Sequence, residues 1–371
     1  MTLVDLPTPA VLIESARLER NLDRMQRAAT ARGIALRPHA KTHKSPHIAA
    51  MQLQRGAVGI CCAKLGEAEV FADAGITDIR LPYPLHPVNA DRVFALADRI
   101  RLSFIVDELA IARAWSQAAH RKGRTLDVLV KVDVGFHRCG IDPASAAAPG
   151  TIREIAALPG LAFRGVLSHA GHAYSATTDA ELAAIASTEA ELLRDLVERS
   201  GVACAEVSVG STPTARFSLE QPGLTELRPG NYAYFDRTQV GLGAATFDDC
   251  ALTILTRVVS HPAVDRLIFD SGSKALTSDG ARGAGSPAGY GAVLASIDGG
   301  APDPDLVVER LSEEHATVRS LAGRTSLRTG DLARIVPNHS CVVSNLMDFV
   351  WLVDGERVVQ QLPVAARGRI T

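Results

Sequence analysis

From residue 9 to about 235 the chain alternates short apolar runs with longer amphipathic stretches. Runs at 10–13, 35–41, 58–63, 78–83, 102–107, 128–134, 163–169, 206–210 and 226–232 have the length of buried strands. Stretches at 15–32, 65–74, 108–121 and 179–199 carry apolar residues at helical spacing. Strict strand–helix alternation predicts parallel βα units. About eight such units in this span predict α/β architecture, a closed (β/α)8 TIM-type barrel rather than an open sheet. Nine runs qualify, so one lies outside the barrel or is not a strand. After about residue 240 the texture changes. Runs at 250–260, 266–270, 332–336 and 350–353 are β-like with few helix signals between them, and the glycine-rich stretch 280–291 reads as a loop. An antiparallel β-domain appended to the barrel is expected. The expected domains are residues 9–238 and 239–371.

Strand alternation also assigns faces. In the run 128–134, Val128, Val130, Val132 and Val134 share the face that packs under helices, so Lys131 and Asp133 point inward near the strand's end. Barrel interiors are mostly apolar, and inward polar groups gather where the active site lies. An internal ion pair that only supports the fold is the alternative.

The same alternation gives the run 35–41 its interest. It continues into Arg37-Pro38-His39-Ala40-Lys41-Thr42-His43-Lys44, where Arg37, His39, Lys41 and His43 share one face as long as the strand lasts. A lysine among such neighbours, partly out of water, has a lowered pKa and serves as a nucleophile toward carbonyls. A basic strand end on the surface is the alternative.

Composition narrows the function classes. A net charge of -2, 47% hydrophobic and 22% charged residues describe an ordinary globular chain with no pull toward nucleic acid or anionic membrane. No apolar run is long enough to span a bilayer, and the first residues lack a secretory leader. The six scattered cysteines do not form a disulfide framework, so a reduced, cytoplasmic protein is expected.

Further motifs sit at predicted strand ends. His339 and Cys341 are spaced i, i+2 and share a face if extended, a nitrogen–sulfur pair suited to zinc but short of a full ligand set. A loop histidine beside a buried cysteine is the alternative. Gly210-Ser211-Thr212 follows a strand and has the small residues of a phosphate-binding turn, or is a plain strand-to-helix turn. Arg138 follows the strand of Lys131, with Asp133 as its natural partner. His169, His172 and Tyr174 form another polar group fit for acid–base work.

Taken in order, these blocks resemble the fold-type III pyridoxal-phosphate enzymes of the D-threonine aldolase and eukaryotic-type D-serine dehydratase group. The likeness rests on Pro-His-Ala-Lys-Thr-His-Lys at 38–44, on residues 59–69, on Lys131 through Gly140, on Gly210-Ser211-Thr212, on Arg228 through Tyr232, and on the His339/Cys341 pair. It implies that Lys41 is the Schiff-base lysine and that His39, Arg138, Gly210, Ser211, Thr212 and Tyr232 contact pyridoxal 5'-phosphate. It implies a divalent metal (Zn2+, Mn2+ or Mg2+) on His339 and Cys341, with residues 1–8 joining the C-terminal domain. It also implies a head-to-tail homodimer.

The resemblance leaves two lyase routes on a small-molecule D-amino acid. Aldol cleavage gives glycine and an aldehyde, with His172 or His169 as base for the β-hydroxyl. Dehydration by loss of the Cα proton to Lys41 gives a keto acid and ammonia. Overall likeness favours the aldolase, while the cysteine of the metal pair keeps the dehydratase open. A racemase of this fold would need no metal pair. A pyridoxal-phosphate homeostasis protein would lack the last third of the chain.

Overall fold

The computed structural model describes residues 1–283 and 288–371. Positions 284–287 of the expected glycine-rich loop lie outside the described residues. The first strand, β1 (Ala10–Glu14), is followed by eight parallel strands: β2 (Ala35–Leu36), β3 (Ile60–Cys61), β4 (Asp78–Pro84), β5 (Arg101–Val106), β6 (Leu126–Lys131), β7 (Leu161–Leu167), β8 (Glu206–Val209) and β9 (Glu226–Leu227). Each of β3 to β8 pairs with the next, and β9 pairs with β2. The ring is completed between β2 and β3 by Val58 N–H to Leu36 C=O (2.9 Å) and Cys61 N–H to Pro38 C=O (2.7 Å). The expected (β/α)8 barrel is therefore present.

Valines Val128, Val130 and Val132 pack outward under the helices, while Leu129 meets Ile105 and Leu167 inside the barrel. The interior beyond that small apolar plug is polar. Arg80, Glu226, Ser208 and Arg228 occupy inward positions, as alternation requires, since Ile79, Leu81, Val207, Val209 and Leu227 belong to the outer core.

The C-terminal strands are β10 (Leu252–Ala263), β11 (Arg266–Phe269), β12 (Ala292–Leu294), β13 (Pro302–Leu311), β14 (Ala316–Ser320), β15 (Leu332–Val336), β16 (Phe349–Asp354) and β17 (Arg357–Pro363). Strands β10, β11, β14, β13, β12 and β15 close on themselves, and β1, β16 and β17 extend the sheet from β10. Strand β1 is antiparallel to β10 and parallel to β16.

Residues 10–14, expected in the barrel, thus belong to the β-domain. Every residue of β1 is buried, because both of its faces are covered: Val11 and Ile13 pack into one apolar cluster, Ala10 and Leu12 into another. Residues 1–8 lie with them, through Leu3 N–H to Glu356 C=O and Val358 N–H to Met1 C=O. The β-domain core also takes in Leu18 and Leu22 of the first helix and Tyr232 to Phe235 from the barrel mouth. This shared packing seats one domain on the other.

Candidate active site

The main cavity opens where the C-terminal ends of the barrel strands face the β-domain. His39, Lys41, Lys131, Arg138, His169, Gly210, Ser211, Thr212 and Arg228 line it from the barrel, and Asp279, His339 and Cys341 from the β-domain.

Lys41 is not on a strand. Pro38 offers no N–H to continue the ladder, and the chain turns into a 3-10 helix, Ala40–Thr42. The expected common face is therefore cut short. Arg37 points into the barrel toward Asp78 and Glu226. His43 turns away, packs edge-on to Phe71 and bonds Gln52. Lys41 itself is exposed to the cavity rather than withdrawn from water. Its neighbour Lys44 is buried and paired with Glu67 at 2.7 Å, so Lys41 is the amine of this segment that the cavity presents.

The buried lysine of the site is Lys131. Burial, reinforced by the Arg228 guanidinium, lowers its pKa to about 7. Asp133 does not join it. Its carboxylate accepts from the N–H groups of Gly135 and His137, both at 3.0 Å, and caps its own loop. It does not hold Arg138 either; that guanidinium stacks on Phe136, 5.1 Å from the ring centroid.

His169 donates from Nδ1 to the Gly210 carbonyl at 2.5 Å. Burial and nearby Lys41 hold it neutral, well below the usual histidine range. His39 is kept neutral in the same way. Arg228 reaches Ser208 and donates to the Ser168 carbonyl, which fixes its plane in the cavity wall.

Two of the expected residues lie off the cavity wall. Tyr232 is not on the cavity wall: it is buried in the β-domain core, and its hydroxyl accepts from Gln52 Nε2 at 3.0 Å. Gly230 and Asn231 line the wall in its place. His172 lies on the 3-10 turn Gly171–Ser175 and is not among the lining residues; Tyr174 on the same turn is.

His339 and Cys341 come together, though not on an extended segment. His339 caps the helix Ser340–Leu346, and Cys341 lies in its first turn. Burial works against charge on either group, but the hydrogen bond between them outweighs it. It raises His339 to about 10 and lowers the Cys341 thiol. Cys341 Sγ also meets Thr42 Oγ1 at 3.2 Å, which places the pair beside Lys41. Asp236 ties the two walls, accepting from Asn231 Nδ2 (2.6 Å) and from Ser340 N–H (3.0 Å). Asp236, Asp279, Gln239 and Arg282 line the cavity without having been singled out by sequence. They sit in loops and short helices, where no periodic pattern marks them.

The residues fit the implied groups. The Ser211 and Thr212 hydroxyls are buried and have no hydrogen-bond partner, as a cradle for phosphate oxygens requires. An imidazole and a thiolate suit a borderline-soft divalent cation. Among the described residues no third His, Cys, Asp or Glu joins them as a ready ligand set.

A family model for the alanine racemase N-terminal domain matches residues 13–238, and a second, for a serine dehydratase domain, matches residues 251–353. The chain is 35% identical to D-threonine aldolase of Arthrobacter sp, over 99% of this chain and 94% of that one. It is 36% identical to D-threo-3-hydroxyaspartate dehydratase of Delftia sp. (strain HT23), over 92% of each. The solved structure of that dehydratase superposes with a TM-score of 0.91, at 32% identity and 98% coverage of both chains. D-threonine aldolase from Filomicrobium marinum superposes at 0.88, with 30% identity and coverage of 100% and 98%. Structures of D-threo-3-hydroxyaspartate dehydratase include one with a histidine and one with a cysteine, two positions apart, changed to alanine; the cysteine variant is in a metal-free form.

Proposed function

The chain belongs to the alanine racemase-like family that carries a serine dehydratase domain, and we propose that it is a pyridoxal-phosphate- and divalent-metal-dependent lyase of D-3-hydroxy amino acids. Relatives named as aldolases and as dehydratases are both lyases. The observation that carries the reading is the His339/Cys341 pair held against Thr42, next to the cavity-facing Lys41.

Ser211 and Thr212 would bind the cofactor phosphate and Lys41 its carbonyl carbon, with Arg228 and Lys131 lining the same cavity. His339 and Cys341 would hold the cation. When bound, the cofactor supplies an electron sink at Cα and the cation supplies charge for the β-oxygen.

Dehydration is the route the residues support better. Lys41 takes the Cα proton, and the β-hydroxyl leaves on the side of His339 and Cys341. The product hydrolyses to a keto acid and ammonia. Aldol cleavage instead needs a base at the β-hydroxyl. His172 lies off the cavity wall, which leaves Nε2 of His169, whose Nδ1 donates to Gly210, as the one expected base on it. The His-x-Cys spacing also matches the two positions changed in the dehydratase structures. Aldol cleavage remains the second reading, favoured by identity with the Arthrobacter aldolase across almost the whole chain.

Product analysis with D-threonine and D-serine separates the routes. Dehydration yields 2-oxobutanoate or pyruvate with ammonia; aldol cleavage of D-threonine yields glycine and acetaldehyde. Recovery of racemised substrate alone would overturn both. The head-to-tail homodimer is part of this proposal, and sedimentation of the purified protein at two concentrations tests it.

A further inference from the structure

We propose that Asp279 is a positioning residue for the metal pair, fixing the His339 imidazole so that Nε2 faces Cys341 and the cavity. The inference rests on the reading of His339 and Cys341 as cation ligands. Asp279 Oδ2 meets His339 Nδ1 at 2.6 Å. An imidazole has two nitrogens, and a carboxylate on one fixes the tautomer and ring plane while raising the basicity of the other. With Nδ1 engaged, Nε2 is the nitrogen left for the Cys341 side.

The position of Asp279 is itself built. Asp279 N–H donates to Thr277 Oγ1 at 3.2 Å, and Asn338 Nδ2 donates to the Asp279 carbonyl at 2.9 Å. Asn338 directly precedes His339, so Asp279 grips that segment at two points, by backbone and by side chain. Asn338 is held in turn by Arg237 Nη1 on its Oδ1, at 3.2 Å. Thr277, which orients the Asp279 backbone, has a φ of 66°. A β-branched residue there is strained, and such strain persists where the surroundings enforce it. A surface ion pair formed by chance needs neither the strained turn nor the asparagine clamp. His339 and Asp279 are 40% and 45% exposed, so the pair by itself adds little to folding.

The test is calorimetric titration of Zn2+ and of Mn2+ into metal-stripped, cofactor-loaded protein. Wild type, Asp279→Ala, Asp279→Asn and Cys341→Ala are compared, with melting temperature and the cofactor absorption band measured in parallel. Removal of such a partner weakens metal binding by about 10–100-fold. That loss is expected for Asp279→Ala, with partial recovery in Asp279→Asn, which keeps an acceptor oxygen, and with melting temperature and band unchanged. Asp279→Ala binding metal as tightly as wild type, while Cys341→Ala does not bind, would overturn the role of Asp279 alone. Wild type and Cys341→Ala binding alike would overturn the metal pair itself, and this inference with it.

Discussion

The two walls of the cavity come from domains that handle charge in opposite ways. Inside the barrel, Arg37, Arg80, Glu226, Arg228 and Lys131 are all buried. Glu226 accepts from Arg37, Arg80 and Ser208, and Ser208 accepts from Arg228, so the three arginines and Glu226 form one chain of contacts running up to the cavity. The β-domain interior is apolar, with Arg334 beside Glu14 as its buried charged pair. Its chemistry is confined to two short segments, 338–341 and 279–282. Barrel chemistry is therefore spread over strands that already support one another, while β-domain chemistry is local. A change in the barrel should disturb fold and site together; a change in the β-domain should disturb the site alone.

The largest effect is expected at the amine that the barrel presents. Lys41→Ala should remove turnover and the visible band near ~420 nm that pyridoxal Schiff bases show. Persistence of both would dismiss Lys41 from its role. Glu226→Gln comes next, because it leaves Arg37 and Arg80 short of their shared carboxylate. Breaking a buried pair costs about 3–5 kcal/mol, read as a shift in the denaturant midpoint. An equal loss of stability from Asp279→Ala would erase the contrast between the domains.

A smaller effect is expected at the phosphate cradle. Thr212→Val removes one hydrogen bond to a charged group, worth about 1.5–3 kcal/mol, and cofactor binding measured by fluorescence titration should weaken accordingly. Affinity equal to wild type would place the phosphate elsewhere.

The smallest effect is a slope. Lys131 has a pKa of about 7 in the folded chain against an ordinary 10.5. Between these values the unfolded chain binds more protons, so stability rises with pH across that window. Below about pH 7 both states are protonated and the penalty is complete. Lys131→Met should therefore gain most in melting temperature below pH 7, with the gain shrinking toward pH 10. A pH-independent difference, measured on cofactor-free protein, would mean that burial does not shift this amine.

Local chemistry made much of this protein legible before folding. Alternation marked the strands and put Val128 and Val130 outside and Lys131 inside. Small hydroxyl residues after a strand marked the Ser211–Thr212 turn, and a basic run around Lys41 marked the amine. These are properties of one element and its neighbours in sequence, where spacing alone sets which side chains share a face.

Tertiary structure decided the rest. It moved β1 into the β-domain, because both sheet edges beside it were filled only by distant strands. It ended β2 early at Pro38, so that Lys41 faces the cavity from a turn while His43 does not. Tyr232 went into the shared core, and His172 off the wall. It also brought Asp279 to His339 across 60 residues. No periodicity encodes such a meeting, because it depends on how two separately formed elements pack. The amine was thus written into the sequence, and the device that aims the imidazole beside it came only with the fold.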